Sequence, residues 1–481
     1  MEEDENDLTR TTSVHSINSF TEPVTQLAAS QVLLHGDVQT SSGVFRKKSQ
    51  YLVLTDTHLV KTRSLARASE IFPSITSSFG RASGARHSRL SSSSSNQETY
   101  AATDNLHSHP LNQITAVYRL DDGKPYFSAE IVFLDEETMQ TAALTLQLYD
   151  PKDHDLWLSS IRGAAMNARL RDPSRFSQHL VEYTARILEQ DMDYDPMQFH
   201  MFRVIQRSTK TGSTKASSDD VARMNSSVCI LAVGIFMIHL IPLPKGHKTS
   251  SNASLSDLGS KSYGIASLTD FVVSSEDDTF VLKFRIPLKQ SLSISLASSC
   301  TSDIALSVRR TAEYLRPKWP EQPFTWNMSK LMDEDHLPVP PIEEEYEALN
   351  RTLAAYCVAY GTDASLVRYT VDAFCEDGPS FCLTPRADGR KYSVLELLAI
   401  FRALRYNESF GVLIFAGIDL SDLHRLRDPF GCEHVAWRTR SGDQLNPQQE
   451  RNFTLLVQEI RALALNSVSL RRLDFSDCLN L

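Results

Sequence analysis

Five basic residues lie close to one apolar run: Arg46, Lys47 and Lys48 come just before Tyr51–Leu54 (YLVL), and Lys61 and Arg63 follow it. Guanidinium forks and ammonium point charges suit phosphate oxygens, and each base held near an anionic membrane adds roughly 1 kcal/mol of attraction. A second chemistry is phosphorylation. Ser83, Ser88 and Ser91 each stand two residues after an arginine, the spacing basophilic kinases read. Each phosphate would bring about −1.5 to −2 charges and cancel the local positive field. No Walker phosphate loop, GxGxxG, HExxH, GxSxG or EF-hand loop occurs. The fourteen histidines are scattered, and Cys375 and Cys382 lie seven apart with no second pair. The expectation is a chain without catalytic residues, metal or cofactor.

The 481 residues provide for about three domains at roughly 150 residues each. Lys plus Arg number 49 against 59 Asp plus Glu, a formal charge of −10 that argues against a nucleic-acid partner. Seven cysteines without a CxxC pair fit a reducing, intracellular compartment. The acidic N-terminus has no apolar core and is not a presequence. The apolar run Val228–Ile241 is short of the roughly 20 residues a membrane helix needs, contains His239 and meets Pro242 and Pro244. A buried β-hairpin bent near Gly234 is expected there, and no transmembrane segment anywhere.

These residues need elements to hold them. Residues 1–27 read as disordered, being polar and Ser/Thr-rich. Strand patterns run through 31–63, break over a Ser/Arg-rich insertion at 65–108 that reads as disordered and without fold elements, and return at 112–120, 129–135 and 141–150. A helix follows, with Asp153 as its cap and Leu156, Trp157, Ile161 and Ala165 on one face. About seven strands closed by one C-terminal helix, the YLVL strand and Trp157 together resemble a pleckstrin homology (PH) domain over residues 28–170; another small β-barrel is the alternative. In phosphoinositide-binding members of that family, a base ends the first strand and a Lys-x-Arg pair opens the second. Here Gln39 and Gln50 replace two of those bases, Lys48 alone falls on the pattern, and Arg46, Lys47, Lys61 and Arg63 are neighbours. The resemblance therefore implies weak contact with an anionic phospholipid surface; a domain used only for packing or protein binding is the competing reading.

The same order of elements recurs. A helix at 176–190 precedes strands at 199–207, 228–241, 263–274, 279–286 and 291–298, then a helix at Thr301–Leu315. A second PH-like barrel is expected over 176–316, though identity between the halves is too weak to prove duplication. Residues 317–342, with repeated prolines and the acidic Asp333–Asp335, read as a linker.

From 343 to 481 the period changes. FGVLIFAGIDL and LRRLDFSDCLNL share the spacing of leucine-rich repeats (LRRs), placing Leu413, Phe415 and Ile418 in one unit and Leu470, Leu473, Phe475, Cys478 and Leu481 in the other. Cys478 would satisfy backbone groups inside the turn, whereas Ile418 cannot, so the first unit reads as an irregular cap. The fold class is multidomain α+β: a PH-like barrel with its helix, a second such barrel, a helical cap and the start of an α/β LRR solenoid. An array of so few repeats is expected to continue in a longer protein, or to mark a truncated gene model.

This order of domains resembles a fungal-type PH–LRR protein, distantly similar to the CARMIL family of actin capping-protein regulators. The resemblance implies a non-enzymatic adaptor or scaffold, cytoplasmic and peripheral at the plasma membrane or cell cortex, with an LRR surface for a protein partner and a link to the actin cytoskeleton. The alternative is a regulator of a signalling GTPase built on the same scaffold.

Overall fold

The computed structural model describes residues 27, 29–41, 47–77, 107–120, 126–135, 139–171, 176–207, 226–243, 260–317, 325–327, 345–431 and 452–478. They fall into two compact units, one of described residues up to Ser177 and one from Gln178 onward. Among the described residues no helix is long and apolar enough to cross a membrane.

The first unit holds seven antiparallel strands: Val32–Ser41 (β1), Lys47–Thr55 (β2), His58–Thr62 (β3), His107–Pro110 (β4), Ile114–Leu120 (β5), Phe127–Asp135 (β6) and Gln140–Leu148 (β7). Their order is β4-β3-β2-β1-β7-β6-β5, and β1 meets β7 through only three pairs, Gln39–Ser41 against Thr145–Gln147. The sheet is consistent with the expected PH-like barrel type, and among the described residues no ladder joins β4 to β5, which are separated by a 3₁₀ turn at Leu111–Gln113. Strand alternation sends Leu52, Leu54 and Leu59 into one core with Trp157, Ile161 and Ala165. Tyr51, Val53 and Val60 point the other way, into a separate cluster.

That outer cluster corrects the reading of 65–108 as an insertion without fold elements. Helices Leu65–Ile71 (α1) and Ser74–Ser77 (α2) lie within that span, and Ala68, Ile71, Phe72 and Ile75 are buried with Leu27. Burying a side chain such as Phe72 contributes about 1.5–3 kcal/mol, and the flanking serines and arginines hide this small apolar set in sequence. The helix Pro151–Arg171 (α3) starts earlier than expected. Asp150 caps it by accepting from the Lys152 amide at 2.9 Å, and Asp153 sits within the first turn. Leu156 is 50% exposed, and the buried row runs through Trp157, Ile161 and Ala165 instead.

In the second unit, Gln178–Gln190 (α4) precedes His200–Arg207 (β8), Ser226–Val233 (β9), Met237–Pro242 (β10), Lys261–Gly264 (β11), Leu268–Val273 (β12), Thr279–Phe284 (β13) and Leu292–Ala297 (β14), followed by Thr301–Leu315 (α5). The order β11-β10-β9-β8-β14-β13-β12 repeats that of the first sheet, again without a ladder between β11 and β12. An eighth strand, Thr325–Asn327 (β15), pairs in parallel with β12, although it comes from the span read as a linker. Val228–Ile241 is the expected hairpin. Gly234 at its bend is obligatory, because a Cβ there would lie 2.0 Å from an Asp193 oxygen.

The remaining sheet has the order Tyr369–Asp372 (β16), Ser380–Leu383 (β17), Val412–Ile414 (β18) and Arg472–Asp474 (β19), the last three parallel. Helices Leu349–Tyr360 (α6), Val394–Leu404 (α7), Ser421–Arg425 (α8) and Leu455–Asn466 (α9) accompany it. A capping box between Ser393 and Glu396 starts α7, and Gly361 in a left-handed conformation ends α6. One cluster of buried apolar residues runs from Val204 to Cys478, so the second sheet and the parallel layer share a core. Gly264 lets α6 approach closely, since a Cβ there would stand 2.4 Å from the Ala359 Cα. Arg285 donates to Asp428 at 2.6 Å, and both side chains are buried.

Candidate anionic-surface site

Ladder register fixes where the predicted bases stand. Arg46 lies outside the described residues. Lys47 and Lys48 open β2 opposite Ser41 and Thr40. Lys61 lies in β3 between Leu52 and His107, and the exposed Arg63 follows Thr62 at the end of that strand. Alternation places the half-buried Gln50 and Lys61 on the core-facing row, beyond Leu52 and Leu59. Gln50, which stands where a base was expected, accepts from Thr40 Oγ1 at 2.5 Å. Gln39 faces Ser49 and Gln147. The phosphorylation candidates Ser83, Ser88 and Ser91 lie outside the described residues.

Deeper in the same row, His109 stacks on Phe133 with ring centroids 4.4 Å apart. Burial first, then the charges of Lys61, His107 and His58, lower its pKa to about 4, so it is neutral near pH 7.

The second sheet provides an internal comparison. The three-pair meeting of β8 with β14 superposes in register on that of β1 with β7, and a 3₁₀ turn, here Ile265–Ser267, again precedes the strand carrying the bulge. Tyr263 takes the place of His109 and stacks on Phe284, the counterpart of Phe133, at 5.0 Å. In this register Ser226, Ser227, Leu240 and Pro242 stand where the first sheet has Lys47, Lys48, Lys61 and Arg63. Leu240 is buried in the shared core. At the matched strand end the first sheet pairs Lys61 with His107, and the second pairs the buried Leu240 with the exposed Lys261.

A Ser-His-Asp grouping in the second unit went unnoticed in the sequence because its members are far apart. His239 Nε2 lies 2.7 Å from Asp193 Oδ2, and Nδ1 lies 2.9 Å from Ser262 Oγ. Asp193 also accepts from the Phe236 and Met237 amides at 2.5 and 3.2 Å, and both His239 and Asp193 are fully buried. With its carboxylate committed to backbone amides, the group pins the β9–β10 hairpin to the turn after α4. Among the described residues no cluster of three or more His, Cys, Asp or Glu side chains could hold a metal ion.

In the parallel layer, Leu413 and Leu473 are direct cross-strand partners, and Phe415 stacks on Phe475 at 5.5 Å. Ile418 is buried, whereas Leu470, Leu473 and Phe475 are half-buried; Leu481 lies outside the described residues. Gly417 and Asp477 both take positive φ, at equivalent points of the two turns. Cys478 donates its thiol hydrogen to the Phe415 carbonyl at 3.2 Å. Two features escaped the sequence reading. Phe381 is a third member of the Leu413–Leu473 row, signalled only by the short Phe-x-Leu of β17. Glu459 accepts from Arg402 and Arg405 at 3.1 and 2.6 Å, all three buried. Both arginines hold the Glu459 carboxyl below the usual carboxylate range despite burial.

Residues 179–342 match the family described as the second PH domain in LRR-containing protein, which covers the second sheet and reaches past β15. No curated protein matches the chain. The match supports a protein of PH and leucine-rich-repeat type, a setting that fits an adaptor or scaffold.

Proposed function

We propose that the chain is a non-enzymatic adaptor: the first sheet makes weak contact with a phosphate-bearing lipid surface, and the second unit presents its parallel layer to a protein partner. The register-matched contrast between Lys61 and the buried Leu240, at the end of the sheet where Lys47 and Lys48 open β2, carries the lipid reading. The parallel strands with their matched left-handed turns support the start of an LRR solenoid. The CARMIL-like role at the cell cortex, with its actin link, extends this reading by resemblance of domain order. The test is co-sedimentation of the full chain with phosphatidylcholine vesicles, with and without phosphatidylserine or phosphatidylinositol bisphosphate. Binding that needs anionic lipid, weakens with salt and is lost in Lys48→Ala/Lys61→Ala supports it. No binding to any vesicle sinks the lipid half.

A further inference from the structure

We propose that α3, the helix that closes the first sheet, carries a second, outward face on which two copies of the chain pair antiparallel, crossing at Gly163. The inference goes beyond the lipid and protein contacts above and depends on neither. Trp157, Ile161, Ala164, Ala165 and Ala168 are buried against the sheet, which is all the helix needs to hold its own unit together. Yet Leu156, Met166 and Leu170 are 50%, 53% and 75% exposed. Leu156, Gly163 and Leu170 recur every seven residues, so they line one stripe away from the buried row, with Ser159 and Met166 beside the glycine. A single exposed leucine is ordinary; a spaced row of apolar side chains on one helix face marks a surface that meets something. The helix closing the second sheet shows the contrast. No large apolar side chain of α5 is exposed, and solvent there meets Ser302, Asp303 and Arg310.

The stripe fits a second copy of itself. Leu156 and Leu170 stand at equal distances on either side of Gly163, so a two-fold axis at the glycine sets each leucine against its counterpart in the other copy. Gly163 gives the close approach. No atom of the surrounding structure lies within 4 Å of the point where its Cβ would be, so the fold of the unit makes no use of the missing side chain. A glycine inside a helix weakens it relative to alanine, and helix axes come nearest where the crossing residues are small. Charge sets the direction. The first turn of α3 holds Asp153, and the last turn holds Arg169 and Arg171. Parallel pairing would bring like charges together. Antiparallel pairing sets the exposed Asp153 beside the other copy's Arg171 at both ends and opposes the two helix dipoles. Arg171 already donates to Asp56 at 3.0 Å, but more than half of its side chain is exposed, and a guanidinium has five N–H donors.

The experiment is sedimentation velocity of the full chain, without lipid, over a concentration series up to about 100 μM. The monomer should give way to a species of twice its mass. Gly163→Leu should stay monomeric throughout. Circular dichroism should show that this variant melts no lower than the unaltered chain, because leucine favours helix and here meets open space. Asp153→Arg and Arg171→Asp should each weaken pairing several-fold, since each turns two opposite-charge pairs into like-charge pairs. An equal mixture of those two variants should recover it, which shows that neither has lost its fold. A chain that is monomeric at every concentration overturns the inference. So does a dimer that survives in Gly163→Leu, or one indifferent to both charge variants. A last arm adds vesicles of phosphatidylcholine with phosphatidylserine. If the unaltered chain forms no dimer and Leu170→Glu loses vesicle binding, the stripe meets lipid and the pairing of copies is likewise overturned.

Discussion

The two sheets share strand order, the three-pair meeting at their centre, the 3₁₀ turn and the aromatic stack beneath it, yet they end differently. The first pairs Lys61 with His107 at that end; the second pairs the buried Leu240 with the exposed Lys261 and shares its core with the parallel layer. One topology therefore accommodates two different ends, and the residues that differ are the few at the strand ends. The stack and the inner leucines are what the topology needs for itself. Everything exposed at the rim is free to be basic or apolar according to what it must meet.

The largest expected effects probe the shared core. Replacing Asp428 by Ala leaves Arg285 buried without its carboxylate and should cost the second unit about 3–5 kcal/mol. Urea unfolding followed in both units should show the first transition unmoved; a loss divided equally would contradict the separation into two units. Phe133→Ala and Phe284→Ala remove equivalent rings and should each cost roughly 3–5 kcal/mol in their own unit. A stack that proves dispensable in one sheet would break the equivalence there.

Acid sharpens the contrast further. His109 has a folded pKa lowered from 6.5 to about 4, so the unfolded chain binds more protons between those values. Its contribution is complete above the unfolded value and is lost as pH falls toward about 4, by at most about 3 kcal/mol. Tyr263 does not titrate in that window, so thermal scans should show the first unit weakening first, and His109→Tyr should remove the difference. The smallest effect is a transfer of function. Ser226→Lys/Ser227→Lys places bases where the first sheet has them and should raise anionic-vesicle binding by no more than a few-fold, because the buried Leu240 still closes the row.

Much of this organisation was legible in the sequence. The hairpin at Val228–Ile241, the helix Thr301–Leu315 and the Leu413/Leu473 correspondence followed from apolar periodicity, which reflects burial directly. Register was not legible, and the equivalence of His109 with Tyr263 exists only in register. The cover formed by Phe72 and its neighbours was missed because four buried residues among serines and arginines give no periodic signal. Arg285 with Asp428, and His239 with Asp193, were missed for another reason: contacts between residues this far apart in sequence leave no local trace. The candidate site was half legible. The bases were visible as a cluster, but His107 became a neighbour of Lys61 only through the β3–β4 pairing across the long insertion.

Gly264 leaves a signature that can be read in other chains. Its missing Cβ allows the backbone of α6 to come within contact of the second sheet, so Gly264 and Ala359 are a matched pair of small residues about a hundred positions apart. In any chain of this architecture, two small residues at these positions mark a second sheet welded to its helical layer. A bulky side chain at either would hold the helix away, and the two parts would then be tethered beads rather than one body. The distinction separates chains whose second sheet and parallel layer share one core from those that merely carry both.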